Sequence, residues 1–357
     1  MSDEVFGEPE EITPAFLTEV IGRAGFDGKV SAVSHEPIGT GQIGRTFRLH
    51  LDLAGEGPTT LVAKMAGGDA AARSMIKAGY QKEVNFYTVF ARSVAVRIPQ
   101  SWHAAITEEL VDFTLILDDL APCVPGVQAD GCTKFQALDA LRNLAGLHAP
   151  TWNAPSLDEH LTWLGPVDDA SSQFLGDLMG GAVEQFIERY ESRLGPDDVA
   201  TLRQAAARTG QWKSLVDGPR SLLHGDYRLD NLLFPLSGEG VVAVDWQTVT
   251  VGPPTRDLGY FLATCLTPED RRASEDELVD AYHQALVDLG IVDFSRAECF
   301  DGYRLGVLQG PMITVLGCVY ASAEGSARAD GMFVAMAKRS CAALRELGTF
   351  SLLGDVK

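Results

Sequence analysis

The stretch from Ser221 to Trp246 constrains this chain more than any other. It reads SLLHGDYRLDNLLF and continues, after a short interval, with VVAVDW. Three short apolar runs in it predict small buried strands with a polar loop between them, at residues 222–223, 232–234 and 241–244. Asp226, Asn231 and Asp245 are therefore delivered to one place on a rigid frame. Two carboxylates and a carboxamide are what a protein needs to hold Mg²⁺ against the phosphates of a nucleotide.

Other readings of the fragment weigh less once Asp245 is included. His-Gly-Asp alone is a common turn sequence, but an Asp that follows a four-residue apolar run costs burial energy unless it has a partner. An Asp, four spacers and an Asn, followed by a further Asp, is also the order found in protein kinases. Here Gly225 stands where those kinases carry Arg, and Trp246 where they carry Phe. HGDYRLDN with VDWQ resembles instead the aminoglycoside phosphotransferase and choline kinase superfamily, specifically its ecdysteroid-kinase-like branch.

The resemblance implies an α+β, protein-kinase-like fold of two lobes within one kinase-like domain. We expect a small N-terminal nucleotide-binding lobe over residues 1–120, built from an antiparallel sheet and a helix. A larger, mainly helical lobe over residues 121–357 would carry the catalytic loop and the acceptor site. The roles implied are a proton-accepting Asp226, with Mg²⁺ bound by Asn231 and Asp245 and ATP as the phosphoryl donor.

A glycine-rich segment lies in the expected N-terminal lobe, far before this stretch in the sequence. Gly39, Gly41 and Gly44 satisfy G-x-G-x-x-G, which also occurs in dinucleotide-binding loops. Such a loop should open a helix and meet an acid about 20 residues later. Here residues 46–53 alternate between polar and apolar, which predicts a strand, and Lys64 lies twenty residues after Gly44. The pattern favours a flap over phosphates between two strands, followed by a cation that meets them.

Glu83, further along the chain, is a candidate ion-pair partner for Lys64. Residues 70–91 have helical patterning, and Glu83 is the only acid among them. A pair between the two would hold the ammonium where it can bridge phosphate oxygens. The alternative is that Glu83 pairs with Lys82 or faces solvent.

Two further segments have roles that the resemblance implies. The apolar strand over residues 113–117 runs into Asp118 and Leu120, which resembles the hinge of kinase-like proteins. The backbone groups of these two residues would then meet the adenine edge.

Support for the catalytic loop is expected from a second group of residues. After a double proline at 253–254, Asp257 is predicted to cap a helix over 258–265. By resemblance, its carboxylate would hold the backbone amides of the loop, and His224 would pack beneath the loop. His148, at the end of a helix predicted from residue 135, is interpreted as structural.

Bulk properties exclude several classes of protein. A net charge of −20 argues against a nucleic-acid partner, because phosphates would be repelled. No run reaches the ~18 apolar residues of a membrane helix, and the acidic start lacks the apolar core of a signal peptide. The six cysteines show no C-x-x-C pair and are expected to be buried thiols. Together these features predict a cytoplasmic protein with no membrane partner.

The predicted function is ATP-dependent transfer of a phosphoryl group to a hydroxyl of a small molecule. Ten carboxylates in residues 151–200 permit a polycationic acceptor such as an aminoglycoside, although a solvated helical face is the commoner explanation of such a segment. Aromatic residues in the same segment permit a bulky alcohol such as a steroid. A pseudokinase that binds nucleotide as a scaffold or sensor is the alternative, and a protein kinase is disfavoured because no A-P-E segment follows Asp245. The oligomeric state is not predicted.

Overall fold

The structure, a computed structural model, describes residues 4–39, 44–165, 168–215, 218–321 and 326–354. The chain forms two compact units. The first comprises residues 1–93, 98–122 and 245–248, and the second comprises 94–97, 123–244 and 249–357. The sequence analysis placed a single boundary after residue 120. Along the chain, the first unit continues to Pro122, residues 94–97 group with the second unit, and residues 245–248 group with the first.

The first unit is built on one five-stranded antiparallel sheet in the order β1-β2-β3-β5-β4. Its strands are β1 (Lys29–Ile38), β2 (Gly44–Ala54), β3 (Thr60–Ala66), β4 (Ser101–Ile106) and β5 (Phe113–Asp118). The alternating pattern of residues 46–53 lies within β2, as predicted for a strand. Lys64 on β3 stands opposite Thr46 of β2 and Leu115 of β5, because β3 is the central strand.

Two helices complete the first unit. Helix α1 (Pro14–Arg23) is capped by the preceding residue, Thr13, whose hydroxyl accepts a hydrogen bond from the Phe16 amide. Proline occupies the first turn of the helix. Its apolar side chains, among them Leu17 and Ile21, pack against Leu49 and other buried residues of the sheet. Helix α2 (Ala70–Asn85) begins after Asp69, which caps it in the same way.

Helix α2 is shorter than the sequence pattern predicted. The α-helix ends at Asn85, and residues Phe86–Phe90 continue it as a π-helical turn. The wider turn places Phe86 and Tyr87 on the buried side of the unit. The apolar periodicity through this region reads as one helix in sequence because both forms bury the same kind of side chain.

The second unit is mainly helical. Its helices are α3 (Lys134–His148), α4 (Leu161–Leu164), α5 (Asp169–Tyr190), α6 (Pro196–Ser214), α7 (Thr255–Cys265), α8 (Pro268–Asp288), α9 (Arg296–Gly306), α10 (Gln309–Leu316), α11 (Ala327–Glu346) and α12 (Thr349–Leu352). One apolar core joins α5 and α6 to α10 and α11, with Phe186, Leu202, Val315 and Phe333 among its members.

The second unit also contains five short strands, which flank the loop around Asp226. Their bounds are β6 (Val124–Pro125), β7 (Ser221–Leu223), β8 (Leu232–Phe234), β9 (Val242–Ala243) and β10 (Thr250–Gly252). They form two antiparallel sheets, β7 with β10 and β6 with β8 and β9. The three apolar runs predicted as strands coincide with β7, β8 and β9 to within one residue at each end.

The start of α7 corrects one prediction. The helix was expected to begin after Asp257, but it begins at Thr255, so Asp257 lies in its first turn and does not cap it. Pro254 has a φ of −60°, which already suits a helix start, and so the helix forms three residues earlier.

Two further features bear on the bulk predictions. Within the described ranges, no helix is both long and apolar enough to cross a membrane. All six cysteines are free thiols; Cys123 and Cys132 are half-buried and the other four are buried.

Candidate active site

In the first unit, an ion-pair cluster forms around Lys64. Its Nζ donates hydrogen bonds to Glu83 Oε1 at 2.7 Å and to Asp245 Oδ1 at 3.0 Å. The second oxygen of Glu83 accepts a hydrogen bond from Gln247 Nε2 at 3.2 Å. Strand β3, helix α2 and the segment 245–248 therefore each contribute a charged side chain to one point, and the expected partnership of Lys64 with Glu83 is present.

The charge state of Lys64 follows from its surroundings. Burial disfavours its charged form, but the carboxylates of Asp245 and Glu83 outweigh that effect and raise the pKa of Lys64 above its ordinary value. The ammonium is therefore charged across the physiological range. A fixed cation of this kind can orient phosphate oxygens.

Asp245 is held in an unusual backbone conformation. Its φ is +68°, in the left-handed region that residues other than glycine seldom adopt. The next residue, Trp246, is fully buried, and its ring stacks on Phe86 with the centroids 3.6 Å apart and the planes 5° apart. The π-helical turn after α2 and the segment 245–248 therefore pack against each other, which keeps the Asp245 carboxylate at Lys64. That side chain remains 42% exposed.

The glycine-rich segment lies between β1 and β2, as predicted. Gly39 follows β1 with a φ of +76°, and Gly44 begins β2. Gly41 lies outside the described residues, so the flap itself stays a prediction.

Of the predicted hinge residues, Asp118 is the last residue of β5 and Leu120 lies two residues beyond the strand. The Asp118 amide donates to the Gln100 carbonyl at 3.0 Å, and the Asp118 carboxylate accepts from Trp102 Nε1 at 2.7 Å. The amide of Asp118 is thus engaged within the sheet. Asp119 accepts from Arg48 Nε at 2.7 Å; burial opposes the charged form of Asp119, but this contact together with the other hydrogen bonds to the carboxylate lowers its pKa. Leu120 follows directly; that its backbone meets adenine stays a prediction.

The second unit contains the polar loop around Asp226. Three side chains hold the carboxylate: Tyr260 Oη donates to Oδ1 at 2.7 Å, while Arg228 Nε and Asn231 Nδ2 each donate to Oδ2 at 3.0 Å. The Asp226 side chain is 18% exposed. It is therefore fixed in direction while remaining open to solvent.

Asp257 anchors the backbone of the same loop. Its Oδ2 accepts from the His224 amide at 2.7 Å, and its Oδ1 accepts from the Gly225 amide at 3.1 Å. Gln309 Nε2 donates to the Gly225 carbonyl at 3.2 Å. Gly225 has a φ of +81°, so a side chain at this position would strain the turn. His148 also approaches Asp257, with its Nε2 3.4 Å from Oδ2.

The hydrogen bonds of His224 assign it a structural place. Its Nε2 lies 3.0 Å from the Val244 carbonyl, and its Nδ1 accepts from the Asp226 amide at 3.3 Å. Because a carbonyl oxygen only accepts and an amide only donates, the ring carries its proton on Nε2. Both nitrogens are thus engaged with backbone, which leaves neither for a proton transfer.

The donor chemistry at the predicted metal ligands fits Mg²⁺. Asn231 Nδ2 is engaged by Asp226, so its carbonyl oxygen Oδ1 is the atom that can serve as a ligand. Asn231 immediately precedes β8, and its backbone carbonyl accepts a hydrogen bond from the Val244 amide at 3.0 Å. In the described part of the chain, no group of three His, Cys, Asp or Glu side chains could hold a metal.

The acid-rich segment 151–200 is spread over α5, α6 and the chain before them. Some of its carboxylates form ion pairs with arginines, as in the pairs Asp158–Arg220, Glu184–Arg203 and Asp198–Arg345. These contacts are typical of a solvated helical surface.

The sequence analysis missed two of the residues that hydrogen-bond the Asp226 carboxylate, Tyr260 and Arg228. Tyr260 lies three residues after Asp257 on α7, where a buried aromatic residue reads as core. Arg228 is visible inside HGDYRLDN, but nothing in the spacing indicates that its guanidinium turns back to Asp226. The helical spacing of Asp257 and Tyr260 was the available signal, since residues three apart share a helix face.

Solved structures of other proteins show the same fold. The GDP complex of wild-type aminoglycoside 2'-phosphotransferase-IIIa matches with a TM-score of 0.54 and 13% identity, over 87% of this chain and 93% of that chain. The Plasmodium vivax ethanolamine kinase matches with a TM-score of 0.53 and 11% identity, over 95% of this chain and 90% of that chain. These likenesses confirm the predicted α+β, two-lobed, protein-kinase-like fold.

Curated relatives match over short parts of their length. Acyl-CoA dehydrogenase family member 10 of Mus musculus is 29% identical over 146 residues, which are 39% of this chain and 12% of that protein. Acyl-CoA dehydrogenase family member 11 of Homo sapiens is 41% identical over 46 residues, 13% of this chain and 6% of that protein. The chain thus spans only a small part of the length of these relatives.

A family-level match covers much more of the chain. The sequence pattern described as the ecdysteroid kinase-like family matches residues 43–291. That range includes Lys64 and Glu83 from the first unit and the whole segment from His224 to Asp257. The resemblance stated from HGDYRLDN and VDWQ is therefore confirmed, and the chain belongs to the ecdysteroid kinase-like family.

Proposed function

We propose that the chain is an ATP-dependent small-molecule kinase that transfers the γ-phosphoryl group to an alcohol. The observation that carries the proposal is the Asp226 carboxylate, which three side-chain donors fix in direction while it stays partly open to solvent. A carboxylate so placed can orient a hydroxyl and receive its proton. Homology to small-molecule kinases supports the same reading.

The reaction transfers one group between two oxygens. A bond forms between the acceptor oxygen and the γ-phosphorus, and the bond from that phosphorus to the bridging oxygen of ATP breaks, which releases ADP. The proton of the acceptor hydroxyl passes to Asp226. Because the transition state of phosphoryl transfer is loose, positioning and charge neutralisation matter more than the basicity of the carboxylate.

Residues from several segments of the chain would bind the nucleotide in this mechanism. Lys64, held by Glu83, would orient the phosphates, and the segment from Gly39 to Gly44 would cover them with backbone amides. Asn231 and Asp245 would hold Mg²⁺, whose charge offsets that of the phosphates. The hinge at Asp118 and Leu120 would receive the adenine.

The acceptor is best sought with a panel of alcohols. It should contain ethanolamine, an aminoglycoside and a steroid alcohol, because of the family and its structural neighbours. It should also contain acyl-CoA compounds that carry a hydroxyl group, because the curated relatives are named as acyl-CoA dehydrogenase family members.

The test is transfer of label from γ-³²P-ATP to a member of this panel, by wild type and by Asp226→Asn. We expect wild type to form a phosphorylated product and Asp226→Asn to lower kcat by roughly 100-fold or more, with calorimetry giving a similar MgATP affinity. Asp293→Asn, which changes an exposed aspartate in the same unit, is the matched control and should behave as wild type.

Two outcomes would contradict the proposal. Near-normal transfer by Asp226→Asn would remove this residue from its role. MgATP binding by wild type, with no labelled product from any alcohol in the panel, would favour the pseudokinase instead.

A further inference from the structure

The two oxygens of the Asp226 carboxylate are used unequally. Oδ2 accepts two hydrogen bonds, from Arg228 Nε and Asn231 Nδ2, each at 3.0 Å. For Oδ1 the described residues supply one donor, Tyr260 Oη, at 2.7 Å. Each carboxylate oxygen has about two lone-pair sites. Oδ2 is therefore saturated, and Oδ1 keeps one site for a further donor.

We propose that Asp226 Oδ1 is the atom that receives the acceptor's proton, and that Tyr260 is the positioning residue that directs this oxygen. The inference rests on the proposed phosphotransferase function and deepens it. Tyr260 does not touch the reacting atoms; it acts through Asp226.

The surroundings of Tyr260 suit that role. The side chain is fully buried, so its ring has little freedom to move the hydroxyl. Burial and the neighbouring charge of Asp226 raise the pKa of Tyr260 well above its ordinary value, and the phenol keeps its proton. A phenol that is always protonated can serve Oδ1 as a constant donor.

Helix α7 ties the base to the loop that carries it. Asp257 and Tyr260 lie three residues apart on this helix and therefore share one face. Asp257 holds the backbone amides of His224 and Gly225, while Tyr260 holds the side chain of Asp226. One rigid element thus fixes both the backbone and the carboxylate, which is how a reacting group is kept in a productive geometry.

Arg228 secures the opposite oxygen. Besides Asp226, its guanidinium donates to Asp230 Oδ2 at 3.1 Å and approaches the Met332 sulfur at 2.8 Å. Because it is shared between two carboxylates, the guanidinium offsets one of their two negative charges and is committed to the loop. Arg228 and Asn231 hold Oδ2, but the carboxylate could still rotate about the side-chain bonds. The hydrogen bond from Tyr260 to Oδ1 limits that rotation.

The experiment combines Tyr260→Phe with Asp226→Asn in a double-mutant cycle. Tyr260→Phe should lower kcat roughly 10- to 100-fold, as expected when a reacting group is misplaced, while the KM for the acceptor and the affinity for MgATP stay near wild type. In the Asp226→Asn background, Tyr260→Phe should cause no further loss, because its effect passes through the missing carboxylate.

Tyr303→Phe is the matched control. Tyr303 is also fully buried, and its hydroxyl donates to another carboxylate, Glu275 Oε2, at 2.8 Å. Its loss should lower the urea midpoint by an amount similar to Tyr260→Phe and leave kcat unchanged. A change of kcat that is equal in the two phenylalanine variants would mean a merely structural role and would overturn the inference.

Failure of the inference differs from failure of the proposed function. If wild type transfers label and Tyr260→Phe retains wild-type kcat, or if its loss is undiminished in the Asp226→Asn background, Tyr260 does not act through the base. If wild type transfers no label to any alcohol, both proposals are wrong.

Discussion

Two lysines of the first unit, Lys64 on β3 and Lys82 on α2, differ in which groups balance their charge. Lys64 has two carboxylates within hydrogen-bond distance. Lys82, one residue before Glu83, is partly buried, and the described residues give it no carboxylate partner. Burial lowers its pKa to about 8. The folded protein therefore holds a poorly solvated cation at neutral pH, and this costs stability.

The stability of the chain should depend on pH through Lys82. Between about pH 8 and the ordinary lysine value of 10.5, the unfolded chain binds more protons than the folded chain, so stability rises with pH across this window. Below it, the full cost of the buried charge is present. Lys82→Met should therefore raise the urea midpoint most below pH 8, and the gain should disappear above pH 10.5.

The matched control for this prediction is Lys77→Met, on the exposed side of the same helix. It should show no such pH-dependent gain. An equal response of the two variants across the pH range would mean that Lys82 is not withdrawn from water.

At the scale of elements, the contact between α7 and α9 limits how the catalytic loop can be placed. The helices cross at Gly259 and Gly306, and a Cβ added at Gly259 would lie 2.3 Å from the Gly306 carbonyl carbon. No side-chain rearrangement relieves a clash with backbone, so a larger residue would push the helices apart. Asp257 and Tyr260 flank this glycine and would move with α7.

Gly259→Ala should therefore lower both stability and turnover. We expect a loss of about 2 kcal/mol or more in the free energy of unfolding, with a fall in kcat because Tyr260 is displaced. Gly331→Ala is the control, since Gly331 lies inside α11 with open space around its Cα. There alanine should stabilise by about 0.5–1 kcal/mol. Similar urea midpoints for the two variants would contradict the close approach of α7 and α9.

Local patterns predicted those elements whose signal is local. The runs that form β7, β8 and β9 and the alternation of β2 were visible because burial repeats every second residue in a strand. The end of α2 was missed because a π-helical turn buries the same face as an α-helix. The start of α7 was missed because Asp257 has the chemistry of a cap but binds distant amides instead.

At the scale of the whole molecule, contacts between distant segments limited what could be predicted. The order of the motifs allowed the partnership of Lys64 with Glu83 to be anticipated, because few acids were available to the lysine. It did not reveal that residues 245–248 group with the first unit, or that Tyr260 reaches Asp226. Both depend on chain topology, which leaves no periodic trace in the sequence.

The proposed function requires that Lys64 and Asp226 act on the same triphosphate. The most direct measurement is a crystal structure of the protein with AMP-PNP and Mg²⁺. We expect Lys64 Nζ to lie within about 3 Å of a phosphate oxygen in this complex. We also expect Asp226 Oδ1 to face the γ-phosphorus across a space that one hydroxyl can fill. A nucleotide bound with its γ-phosphate turned away from Asp226, or bound away from Lys64, would contradict it.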